Sequence, residues 1–120
     1  MFEKLGVNFL GIFSFFGYGA VVAFYSLTPV EEGFINVWDK LLHFACYGLF
    51  ALIAWWSATR DKTFYLLCAV VIAYSALMEV GQSFVPGRMM SGLDIVANAL
   101  GVAVVAVLYA LYRRWFLAKP

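Results

Sequence analysis

Four long apolar runs alternate with short polar segments along this chain of 120 residues. Each run is long enough to cross about 30 Å of hydrocarbon as a helix. We predict spans over residues 5–28, 41–59, 63–84 and 93–112. Pro29, the polar turn at residues 60–62 and the Pro86-Gly87 pair punctuate the runs, as turn signals do. The pattern therefore predicts an all-α membrane four-helix bundle, in which an even number of spans places both termini on one side.

Aromatic and amphipathic residues mark the predicted ends of these spans. Residues 30–38 carry apolar side chains next to a pair of glutamates, and we expect this segment to lie along the membrane interface. All four tryptophans fall at span ends, as in an aromatic belt: Trp38, Trp55, Trp56 and Trp115. Their placement supports the boundaries independently of hydropathy.

Composition excludes most soluble classes. The chain is 65% apolar and 12% charged, whereas a soluble domain is about half apolar and about a quarter charged. A domain this small has too little interior to bury so much hydrocarbon away from water. We therefore predict one integral membrane domain over residues 1–120. The net charge of +1, without a basic stripe, argues against nucleic acid as a partner.

The basic residues indicate an orientation. Two of them, Lys40 and Arg88, fall on the side of the bundle opposite to the termini. Six fall on the side of the termini: Lys4, Arg60, Lys62, Arg113, Arg114 and Lys119. By the positive-inside rule, both termini are expected in the cytoplasm, with the chain as a multi-pass protein of the cytoplasmic membrane.

Polar residues concentrate near the outer end of three predicted helices. Spacings of three and four place them on one face of each helix: Asp39, His43 and Tyr47 on the second, Ser75, Glu79 and Gln82 on the third, and Asp94 and Asn98 on the fourth. Lys40 and Arg88 fall at the mouth. Because an ionisable side chain within a span costs about 3 kcal/mol, we expect these residues to pair around a polar cleft that opens outward.

The residue types allow more than one chemistry. Lys40 and Arg88 are suited to bind phosphate oxygens, and His43, Glu79 and Asp94 are the candidates for general acid–base catalysis. The same groups also fit a purely structural role, with Asp94 paired to Lys40 and Glu79 paired to Arg88 or His43. A metal site would use His43 with Asp39, Glu79 or Asp94, since imidazole and carboxylate suit zinc or manganese. A single histidine makes such a site sparse, so we expect no metal and no other cofactor.

The spacing of these residues resembles the VanZ-like family. The first half of the resemblance is Asp39-Lys40-x-x-His43-Phe44-x-x-Tyr47, preceded by Ser26-x-x-Pro29. The second half is Glu79-x-x-Gln82, followed by Pro86-Gly87-Arg88, Ser91, Asp94, Asn98 and Gly101. The resemblance implies a small multi-helix bacterial membrane protein. The family is named for a member linked to resistance to the glycopeptide teicoplanin. It names a family without naming a reaction.

Three functions remain open. The cleft would bind an envelope component, such as a glycopeptide, a peptidoglycan precursor or a lipid headgroup, without chemistry. Alternatively, the protein is an intramembrane enzyme that acts on a lipid-linked phosphate. A proton-coupled exporter with Glu79 as the proton carrier is the third alternative. Alternating access needs a site that can be reached from both sides of the membrane. The apolar cytoplasmic half of the predicted bundle argues against such a site, and therefore against an exporter.

Overall fold

The computed structural model describes residues 2–29, 37–87 and 91–117, without the side chains of residues 37–39 and 117. The described chain is helical, and its elements are α1 (Phe2–Leu5), α2 (Phe9–Leu27), α3 (Val37–Ser57), α4 (Asp61–Gln82) and α5 (Gly92–Tyr112), followed by a π-helical turn (Arg113–Leu117). Helices α2 to α5 are each long and apolar enough to cross a membrane. Over the described residues the all-α prediction is confirmed, with four helices that are candidates to span a membrane. Most of the predicted interfacial segment, residues 30–36, lies outside the described residues.

The first spanning helix begins at Phe9 rather than at residue 5. Gly6 has a φ of 76°, a left-handed conformation that breaks the helix and that glycine adopts without strain. The Asn8 side chain then caps α2 by accepting a hydrogen bond from the Gly11 N–H at 2.6 Å. Hydropathy alone does not show this break, because residues 5–28 contain no charge. The other three helices begin slightly earlier than predicted, at Val37, Asp61 and Gly92.

The spanning helices alternate in direction, which gives the bundle two distinct ends. At the first, the Asn8 amide donates to the Trp56 carbonyl oxygen at 2.6 Å, next to an antiparallel bridge between Val7 and Ala58. We call this the Asn8 end. At the second, the Gln82 amide donates to the Ser26 carbonyl oxygen at 3.1 Å, and we call this the Gln82 end. Helices α3 and α5 run in the same direction, so their first turns both lie at the Gln82 end.

Helices α3 and α5 approach each other closely at Gly101. A Cβ atom built on Gly101 would lie 2.2 Å from the Phe44 carbonyl oxygen and 3.0 Å from the Gly48 nitrogen. Only a residue without a side chain fits there, as in other membrane bundles where small residues let helix backbones meet. This crossing sets the register of α3 against α5. It also fixes which residues of their first turns face each other.

The Asn8 end is closed by aromatic packing and a polar network. The rings of Phe64 and Tyr109 stack with centroids 3.9 Å apart. The Tyr109 hydroxyl donates to Asp61, and the Arg113 Nε lies 2.8 Å from the Asp61 Oδ1. These contacts join the start of α4 to the end of α5.

Candidate functional site

A salt bridge joins the first turns of α3 and α5. The Lys40 Nζ lies 2.5 Å from the Asp94 Oδ1. The side chain of Lys40 is 28% exposed, whereas that of Asp94 is 7% exposed. The close α3–α5 crossing accounts for this pairing, because it places Lys40 opposite Asp94 across two parallel helices.

His43 lies one turn deeper, among oxygen atoms from two other helices. Its Nδ1 is 3.1 Å from the Asn98 Oδ1, and its Nε2 is 3.7 Å from the Asp94 Oδ2. The Glu79 Oε1 lies 4.0 Å from the same Nδ1. Since an amide oxygen only accepts, Nδ1 is the donor in the contact between His43 and Asn98.

Glu79 is the most deeply buried of these charged groups. Its side chain is 2% exposed, and its Oε2 accepts a hydrogen bond from the Ser91 N–H at 3.1 Å. That bond ties the last turns of α4 to the start of α5. The other oxygen, Oε1, faces His43. We call the five residues Lys40, His43, Glu79, Asp94 and Asn98 the His43 cluster.

The His43 cluster is layered by charge. The nitrogen-bearing side chains of Lys40 and His43 are 28% and 18% exposed, and the two carboxylates lie beneath them. Among the residues that the structure describes, every buried side-chain nitrogen and oxygen has a hydrogen-bond partner. A buried polar network of this kind is stable only when its members are satisfied. The cluster therefore presents basic atoms at the Gln82 end above a buried acidic layer.

Other residues predicted for the site lie around this cluster. Tyr47 is buried one turn below His43, and its ring centroid is 6.1 Å from that of Phe50 in the aromatic core. Gln82 fastens α4 to α2 through the Ser26 carbonyl. The Asp39 side chain and the whole of Arg88 lie outside the described residues.

Two contacts were missed by the sequence analysis. The Ser91 N–H that bonds to Glu79 is a backbone group, and the pattern of side chains in a sequence does not reveal backbone donors. Asn8 lies inside the predicted first span, directly before the unbroken apolar segment that begins at Phe9, and an asparagine at that position is a signal for a helix N-cap. Ser91 orients a site residue, whereas Asn8 stabilises the opposite end.

The arrangement supports two kinds of chemistry. One atom each from His43, Glu79 and Asp94 lies within 4.8 Å of the other two, so these residues have the types and the proximity to hold a metal ion. An imidazole between two carboxylates also has the composition of an acid–base site. Over its described residues the chain is a helical bundle with four helices that suggest a multi-pass membrane protein, and it carries a buried ionisable cluster at one end.

The chain belongs to the VanZ/LLP1 family, whose family model matches residues 5–113. It is also similar to an uncharacterized protein of the fission yeast Schizosaccharomyces pombe, with 31% identity over 102 residues. That match covers 82% of this chain and 62% of the yeast protein, so the chain spans less than two thirds of that relative's length. No solved structure matches this chain. The predicted family is confirmed.

Proposed function

We propose that the His43 cluster binds the anionic headgroup of a cell-envelope component at the outer face of a bacterial cytoplasmic membrane. The charge layering of the cluster carries this proposal. Lys40 and His43 are the exposed members, and the carboxylates of Glu79 and Asp94 are buried below them. A ligand that approaches from the Gln82 end therefore meets positive charge and hydrogen-bond donors first. The phosphate and carboxylate groups of cell-envelope components are anions that such donors bind.

Orientation is part of the same proposal. Of the basic residues, six accompany the termini and two lie on the other side, so the Asn8 end faces the cytoplasm by the positive-inside rule. The cluster then faces outward, where peptidoglycan precursors, lipid headgroups and glycopeptides are accessible. The VanZ-like family is named for a member linked to teicoplanin resistance, which makes this antibiotic the first ligand to consider. The proposed role is to change how the antibiotic or its target is held at the membrane surface.

Antibiotic susceptibility tests this role with matched lysine substitutions. Cells of a teicoplanin-sensitive bacterium that express the unmodified protein are expected to tolerate several-fold more teicoplanin than cells with an empty vector. Lys40→Met removes the exposed cation of the cluster and is expected to abolish the gain. Lys62→Met makes the same change on the exposed start of α4, at the Asn8 end, and is expected to keep it. Equal tolerance in the two variants, at equal membrane abundance, would contradict the proposal.

A second candidate is an intramembrane enzyme that acts on a lipid-linked phosphate. The observation that favours it is the His43 ring, with carboxylate oxygens 3.7 Å and 4.0 Å from its two nitrogens. In this function Lys40 would bind phosphate oxygens, and His43 would transfer a proton. General acid–base groups contribute about 10²- to 10⁴-fold to rate.

Reconstituted vesicles separate the two functions. Phosphate release from a lipid-linked phosphate that falls about a hundredfold or more in His43→Ala indicates catalysis. If no phosphate is released, and resistance is lost in Lys40→Met but persists in Glu79→Gln, the cluster acts by binding alone. The Asp61→Asn variant, altered at the opposite end of the bundle, is the matched control in both assays.

A further inference from the structure

We propose that His43, Glu79 and Asp94 form a binding site for a divalent transition-metal ion of the zinc or manganese kind. The proposal is separate from the headgroup-binding role, because it is tested with metal alone and in the absence of any envelope component. It departs from the sequence-based expectation that no metal binds. That expectation rested on the single histidine of the chain.

Proximity is the first observation. Donor atoms from the three side chains lie within 4.8 Å of one another. A metal ion bound at about 2.0–2.3 Å holds its donor atoms about 3–4 Å apart. Side-chain rotations that draw the three donor atoms together by about 1 Å would therefore close the site. Imidazole with carboxylates is a ligand set that suits zinc and manganese.

The orientation of each ligand is the second observation. The Asn98 Oδ1 lies 3.1 Å from the His43 Nδ1, so the ring nitrogen turned toward the Asp94 Oδ2, at 3.7 Å, is Nε2. Glu79 accepts the Ser91 N–H through Oε2, and its other oxygen, Oε1, is turned toward the His43 ring, 4.0 Å from Nδ1. Metal-ligating side chains are typically held in this way, with one atom bonded to an outer partner and the other directed at the ion.

The two carboxylate oxygens of Asp94 are divided in the same way between an outer partner and the proposed site. Its Oδ1 is bonded to the Lys40 ammonium, and its Oδ2 faces the His43 ring. Lys40 thus shares the charge of a carboxylate that the metal would also use. Because the two cations compete for Asp94, loss of the Lys40 charge is expected to tighten metal binding. A cluster whose only purpose is to pair with Lys40 would show no such gain.

Titration of the purified full-length chain with Zn²⁺ and with Mn²⁺ tests the proposal. The protein is reconstituted in lipid nanodiscs with its affinity tag removed and is stripped with a chelator before the titration. The expected result is one saturable site per chain. Glu79→Gln and Asp94→Asn are each expected to weaken binding about tenfold or more, since each removes an anionic ligand. Lys40→Met is expected to strengthen it.

The matched control is Asp61→Asn, which removes a carboxylate at the Asn8 end and should leave the affinity unchanged. A rise in melting temperature upon addition of Zn²⁺ in the Asp61→Asn variant, absent in Glu79→Gln, would link the ion to the folded cluster. Absence of saturable binding in the unmodified protein would overturn the proposal. So would equal affinity in the unmodified protein and in a Glu79→Gln variant that elutes as a single folded species.

Discussion

At the scale of single residues, the burial of charge dominates the energetics of the His43 cluster. An ionisable group inside a span is stable only with partners, and each carboxylate here has one: Asp94 has Lys40, and Glu79 has the Ser91 N–H. The sequence indicated that these residues converge, because their spacings share helix faces. The specific hydrogen bonds depend on side-chain rotamers and on backbone donors, which the spacing of residues in the sequence does not reveal.

Gln82 shows where residue-level prediction ends. Its position on the same face as Glu79 favoured a place in the site, yet its amide bonds to the Ser26 carbonyl on α2. The helix face formed by residues three and four positions apart is broad enough to contact two neighbouring helices. The sequence therefore predicts the face but not which neighbour each residue meets.

We predict that Asp94→Asn destabilises the bundle more than Asp61→Asn does. Asp94 is 7% exposed and Asp61 is 49% exposed, although both pair with a basic residue. The first change weakens a largely buried charged contact and is expected to cost about 1–3 kcal/mol of unfolding free energy. The second should cost under about 1 kcal/mol, because solvent screens an exposed pair. Unfolding titrations in mixed micelles measure both, and an equal loss would be inconsistent with the burial assigned to Asp94.

At the scale of helices, the α3–α5 crossing is the feature that assembles the site. Parallel helices in contact at Gly48 and Gly101 place Lys40 and His43 of α3 opposite Asp94 and Asn98 of α5. The sequence indicated the small residue at position 101 and the length of each helix. It did not identify Phe44 and Gly48 as its neighbours, because hydropathy carries no information about which helices pack together.

We predict that Gly101→Ala disrupts the bundle while Gly17→Ala does not. The added methyl at position 101 would meet the Phe44 carbonyl oxygen at 2.2 Å, whereas position 17 has no neighbouring atom within 4 Å of a built Cβ. Overpacking of this kind costs about 1–3 kcal/mol or more, and Gly→Ala at an open helical position is neutral or favourable by about 0.5–1 kcal/mol. Thermal unfolding in detergent compares the two variants. A Gly101→Ala protein as stable as Gly17→Ala would show that the helices do not cross there.

At the scale of the whole molecule, the bundle has two chemically different ends. The Asn8 end is closed by the Asp61, Tyr109 and Arg113 contacts and by aromatic packing. The Gln82 end carries the His43 cluster. Length and apolarity were sufficient to predict four spanning helices. The break at Gly6 was not predicted, because it depends on a backbone conformation rather than on hydrophobicity.

We predict that the Gln82 end lies outside the cytoplasm. In a background with Cys46→Ala and Cys68→Ala, a cysteine introduced at the exposed Ser83 should react with a membrane-impermeant maleimide in intact cells. A cysteine introduced at the exposed Lys62 should react only after the cells are lysed. The charge count of six against two supports this orientation. The reverse labelling pattern would place the cluster in the cytoplasm and remove the envelope role.

The central claim is that His43 is part of one cluster with Asn98, Glu79 and Asp94. His43 is the only histidine of the chain, so the ¹⁵N NMR spectrum of the histidine-labelled protein in lipid reports on this ring alone. We predict a hydrogen-bonded ring that donates from Nδ1, whose resonances shift in Asn98→Ala, Glu79→Gln and Asp94→Asn but not in Asn8→Ala. A spectrum of a freely exchanging imidazole that none of these substitutions changes would contradict the account.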